Sequence, residues 1–148
     1  MWAHQARWIY YACGGMLAAT AALSASGRLF ADVWRALNFS AVGHTGDLAF
    51  AGIFVLAGLI VAVSGRRRGR LAGVISILLA ITLAGFLGVG WLLLHVLTSG
   101  TTQVRPMGPL PVMVIGVDAG ALLLAPLVQA VLFRRRAEDE AGPPGPQP

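Results

Sequence analysis

Val61-Ala62-Val63-Ser64-Gly65-Arg66-Arg67-Arg68-Gly69-Arg70-Leu71-Ala72-Gly73-Val74 is the stretch on which the fold turns. Its arginines separate the two most apolar runs of the chain. An apolar phase cannot take up such a cluster, because each charge at the centre of a bilayer is costly and must reach water or a partner. The cluster therefore marks a turn where the chain leaves an apolar phase and re-enters it. A second cluster, Arg134-Arg135-Arg136, closes the last apolar run. Arginines that abut membrane spans collect on the cytoplasmic side. Arg66, Arg67, Arg68, Arg70, Arg134, Arg135 and Arg136 are accordingly read as topology anchors.

The composition agrees. Of 148 residues, 57% are hydrophobic and 11% charged, and the mean hydropathy is +0.75. Soluble domains carry about 25% charged residues. The net charge of +5 does not point to nucleic acid, because most of the arginines sit in the two clusters rather than along a binding face. The complete absence of lysine suggests a GC-rich genome. Cys13 is the sole cysteine. It can form no internal disulfide and belongs to no zinc-binding pattern, so it is read as a small packing residue.

Working outward from the arginine turn gives four spans of about 20 residues each, the length a bilayer requires. They are expected at 8–26, 47–64, 71–97 and 111–133. Thr45 is a candidate N-cap for the second span, Asp47 suits its first turn, and Gly65 its C-terminal stop. The third run would be about 40 Å long at 1.5 Å per residue, and so must tilt, bend near Gly85-Gly88-Gly90, or protrude. Between the first two spans, residues 28–37 read as an amphipathic connector. Leu29, Phe30, Val33, Trp34 and Leu37 form its apolar stripe, with Arg28, Asp32 and Arg35 opposite. Pro106, Pro109 and Pro111 break the helix before the fourth span, where Pro111 fits the first turn. Residues 134–148 read as a disordered cytoplasmic tail.

The fold class expected is all-α: an antiparallel bundle of four transmembrane helices with both termini cytoplasmic. The first span also resembles a signal peptide, with small residues at Ala22-Leu23-Ser24. Its apolar run is longer than the usual core of about 7–15 residues, which favours a retained span. Trp8, Tyr10 and Tyr11 would form an interfacial aromatic belt. Small residues recur every four positions at Gly14, Ala18 and Ala22, at Ala80, Ala84 and Gly88, and at Gly116 and Gly120. Such faces let membrane helices approach closely.

Three features are candidates for chemistry. Asp118 lies inside the fourth span, roughly 10–12 Å from its outer end. A carboxylate there must be protonated, hydrogen-bonded, or turned to water or protein. Asp118, Leu122, Ala125 and Gln129 share one face by their 4-3-4 spacing, and Pro126 frees a carbonyl beside them. This polar seam could be a proton or ion path. The plainer reading is an interhelical hydrogen bond to Ser24, Thr20, Thr82 or Ser76, which is common in membrane bundles and is preferred. His44 and His95 form the second candidate, falling at similar depth on adjacent spans as possible axial ligands of a haem b. Interfacial histidines usually bind nothing. The third feature is negative: no hydrolase, metalloprotease, phosphate-loop or dinucleotide fingerprint occurs. An enzyme is disfavoured, with an intramembrane reaction at Asp118 and His95 the one catalytic route left open.

Gly27 to Phe30, His44, Arg66 to Arg70 and His95 together resemble the layout of small four-helix bacterial membrane proteins of unknown function. The layout is also similar to one half of a haem A synthase-type bundle, which pairs histidines on its outer side. There the second histidine opens a later span, whereas here it closes span three. The spans and arginine clusters imply a multi-pass protein of the cytoplasmic (inner) membrane. Its partners would be the lipid bilayer and another membrane protein or a second copy of itself, with no nucleic acid and no resident cofactor. An accessory, structural or assembly role is expected first. A bis-histidine haem protein and a small carrier using Asp118 are the alternatives.

Overall fold

The computed structural model describes residues 2–36, 43–67, 69–98 and 108–142. Among them the only regular structure is helix: α1 (Trp2–Ala25), α2 (Ala31–Ala36), α3 (Gly43–Arg67), α4 (Gly69–Thr98) and α5 (Pro109–Glu140). Three stretches are long and apolar enough to cross a membrane: α3, α4 as far as Gly90, and α5. Helices suit such sequences because each closes its own backbone hydrogen bonds without water.

Three of the long helices, α1, α3 and α5, share one packing rule. Buried positions advance by alternating steps of four and three. In α1 they include Ala6, Tyr10, Cys13, Leu17, Thr20 and Ser24. In α3 they include Asp47, Ala51, Phe54, Gly58 and Val61. In α5 they are Pro111, Ile115, Asp118, Leu122, Ala125 and Gln129, with Ala119 alongside. A 3.5-residue period is that of knobs-into-holes packing at small crossing angles. Neighbours run in opposite directions. Tyr10 lies on Gly65 and Gly14 on Gly58 between α1 and α3, while Gly73 lies on Pro126 between α4 and α5. Thr20 meets Asp118 and Tyr10 meets Gln129 between α1 and α5. With α3 against α4, these contacts close a ring.

The seam holds the small and polar residues, and the outside holds the large apolar ones. Leu56, Leu59, Leu78, Ile81, Leu124 and Leu127 are all exposed, with many others like them. That is the reverse of a water-soluble bundle.

Several boundaries differ from the sequence expectation, each for a local reason. The first helix begins at Trp2, because nothing in residues 2–7 stops it. The connector helix begins only at Ala31, and Leu29 and Phe30 turn into the core instead of lying along an interface, while Leu37 lies outside the described residues. Its charged face pairs within itself, Arg35 Nη2 lying 3.2 Å from Asp32 Oδ1 in solvent. The second long helix starts at Gly43, so Thr45 is inside it and is no cap. Gly65 does not stop that helix, which runs on to Arg67. Its place is explained by packing, since a Cβ there would lie 2.7 Å from Tyr10 Cβ. The fourth expected span starts at Pro109 and continues to Glu140. Residues 134–140 are therefore helical, not disordered, with Arg134–Glu138 and Arg136–Glu140 pairs at i, i+4. Such exposed pairs are worth about 0.3–0.5 kcal/mol each. Arg68, the 99–107 part of the outer loop and the tail beyond 142 lie outside the described residues.

Candidate functional site

The buried polar residues form a chain along α1. At the arginine end, the Tyr10 hydroxyl donates to Gln129 Oε1 across 119 residues of sequence. Tyr10 is 1% exposed, so it leaves the expected aromatic belt to Trp8 and Tyr11. Tyr11 Oη accepts a 3.0 Å bond from Arg66 Nε, and the Trp8 and Tyr11 rings meet edge to face at 5.9 Å. Ser76 Oγ is fully buried near Tyr10, with no hydrogen-bond partner among the described residues.

About three turns along α1, Thr20 Oγ1 donates to Asp118 Oδ2. Asp118 is 3% exposed. Of the four hydroxyls named as its possible partners, the structure supplies Thr20. Thr82 is exposed and bonds within its own helix to the Leu78 carbonyl. Asp118, Leu122, Ala125 and Gln129 are all buried on one face of α5, as the spacing implies. The Cys13 thiol sits beside them, 3.7 Å from the Ala121 carbonyl.

At the far end of α1, Ser24 Oγ donates to the Asp47 carbonyl at 2.9 Å. The Asp47 carboxylate accepts a 2.8 Å bond from Trp34 Nε1. Asp47 is as buried as Asp118, and sequence reasoning gave it only a helix-end role. The glycine pair Gly43 and Gly46 was the available signal. A Cβ on Gly46 would come within 2.6 Å of the Trp34 ring, so only glycine lets the indole lie flat on α3 and reach Asp47. Phe30, Phe50 and Phe86 pack above it with ring centroids 5.0 to 6.4 Å apart.

His44 is exposed in the first turn of α3 and His95 is exposed near the end of α4. Neither lines the two cavities at the arginine end. No group of three or more His, Cys, Asp or Glu with metal-binding proximity occurs among the described residues. Of the small-residue faces, Gly14 and Ala80 are buried. Ala18, Ala22, Ala84, Gly88 and Gly116 face outward instead, and Gly120 is half-buried with open space around its Cα. The four-residue spacing drifts off a seam that repeats every 3.5 residues.

The arrangement locks helices rather than exposing reactive groups. Asp118 lines neither cavity at the arginine end, and its bond is to a hydroxyl on the neighbouring helix. All-helical, with three apolar helices and an apolar exterior, the chain has the makings of an integral membrane protein. No known protein family, no characterised protein and no solved structure matches it.

Proposed function

We propose that this is a multi-pass protein of the cytoplasmic (inner) membrane whose four long helices all cross the bilayer. Both termini and the arginine turn lie in the cytoplasm, and the role is that of a non-enzymatic accessory or assembly component. One observation carries the reading: polar side chains bond to one another along α1 while large apolar side chains face outward. α1 counts as the fourth span although it is not among the three helices whose length and composition alone suffice to cross a membrane. It touches α3 from Tyr10–Gly65 to Ser24–Asp47 and α5 from Tyr10–Gln129 to Thr20–Asp118, so it must share their depth. Orientation follows from the arginines at the α3–α4 turn and after Phe133.

Two measurements test this. Alkaline carbonate should leave the chain in the membrane pellet. In a Cys13→Ala background, Ser26→Cys should react with an impermeant maleimide in intact cells. Ala141→Cys should react only after permeabilisation. Labelling of both from outside would overturn the topology. A carrier using Asp118 would lose its coupling in Asp118→Asn, whereas an accessory protein should keep its level and its associations.

A further inference from the structure

The arginine end of the bundle carries a feature that helix locking does not use. Between α4 and α5 lies a groove of about 690 Å³. Gly73, Val74, Ile77, Pro126, Ala130 and Phe133 form its apolar part, and Arg70 stands at its end. Gly73 and Pro126 meet along its wall, where a Cβ on the glycine would fall 3.3 Å from the proline Cβ. A second cleft of about 140 Å³ shares Gly69, Gln129 and Phe133 with the groove and is bordered by Arg7, Arg66 and Arg67. An apolar slot thus runs into a basic cleft, with the buried Gln129 amide at the junction.

The charges there are uncompensated. Arg134 and Arg136 are paired with Glu138 and Glu140. Arg7, Arg66, Arg67 and Arg70 have no carboxylate partner among the described residues, and no acidic side chain lines either cavity. The groove volume lies within the roughly 300–1,000 Å³ typical of small-molecule clefts. Basic pockets between membrane helices on the cytoplasmic side suit anionic headgroups, and guanidinium is the better partner for phosphate.

We infer that this composite site binds one anionic phospholipid of the cytoplasmic leaflet. An acyl chain lies in the α4–α5 groove, and the phosphate sits among Arg66, Arg67 and Arg70. The inference rests on the membrane-spanning reading above, which the carbonate and labelling experiments test separately.

The test is native mass spectrometry of the full chain in mild detergent, titrated with phosphatidylglycerol and with phosphatidylcholine of matched acyl chains. Phosphatidylglycerol should bind about tenfold more tightly, because the choline cation of phosphatidylcholine offsets the phosphate charge that the arginines attract. Arg66→Gln with Arg67→Gln should bring the two lipids near parity, while Arg134→Gln with Arg136→Gln should not. Ala130→Trp fills the groove from an exposed position and should weaken phosphatidylglycerol binding about tenfold with every arginine in place. Val74→Trp does the same from the other wall, so misfolding of one variant does not decide the matter. Equal binding of both lipids to the wild type would overturn the site. So would wild-type lipid binding by both tryptophan variants, which would mean that charge alone attracts lipid. Equal losses from the two arginine pairs would overturn it in the same way.

Discussion

Thr20 and Asp118 meet inside the bundle, and the cost of separating them depends on which partner is changed. Thr20→Val leaves the carboxyl without its donor, at a cost of about 1–3 kcal/mol. Asp118→Asn keeps a carbonyl acceptor for the Thr20 hydroxyl and should cost about 1 kcal/mol or less. The double variant Thr20→Val, Asp118→Leu removes both polar groups and should recover most of the loss. Denaturant titration in micelles, followed by circular dichroism, ranks the three. If Asp118→Asn were as damaging as Thr20→Val, the carboxyl would be doing something other than accepting this bond. The sequence showed Asp118 and Gln129 as anomalies, because polar groups stand out in an apolar span. It did not show Asp47 or Tyr10, since each also fits a bland position: a helix start for the one, an interfacial belt for the other. Burial is a property of neighbours, and those neighbours, Trp34 and Gln129, are distant in sequence.

At the scale of elements, α1 is held to α3 by a crossing of two glycines. A Cβ on Gly14 would lie 3.0 Å from the Gly58 carbonyl oxygen, and one on Gly58 would lie as close to the Gly14 carbonyl oxygen. Gly14→Leu should therefore push the helices apart and destabilise the bundle by about 3 kcal/mol, the upper end of what overpacking changes typically cost. Gly15→Leu, one residue away with nothing within 4 Å, should be close to neutral. Thermal unfolding in detergent distinguishes them, and equal effects would contradict the crossing. The last turns of α5 are a different case. They pack on nothing and hold acidic residues at a helix C-terminus, where the dipole disfavours them. Truncation after Arg136 removes two exposed ion pairs and should cost about 1 kcal/mol or less.

For the whole molecule, the inverted surface is the testable property. Leu56 is 60% exposed at the middle of α3. In water, a lysine at such a place would be harmless. In a bilayer, Leu56→Lys should cost about 2.5–3.5 kcal/mol of insertion free energy and lower the amount of chain in the membrane fraction. Unchanged membrane yield would argue against a lipid-facing α3. The same inversion explains why small residues at four-residue spacing misled about packing. Outside positions tolerate Ala and Gly as readily as the seam does, so Ala18, Ala22 and Gly116 are exposed.

The sequence by itself determined that the chain is helical and apolar, roughly where its long helices turn, and which residues of α5 share a face. Those properties follow from local rules: hydropathy over a span length, charge clusters that must reach water, and the periodicity of a helix. Only the tertiary structure decided which helix is the hub, which carboxyls are buried, and that an apolar groove opens beside Arg70. These depend on which faces meet: Thr20 and Ser24 stood only as two of four hydroxyls that could reach Asp118, and no local feature of α1 pointed Tyr10 to Gln129 or Ser24 to Asp47.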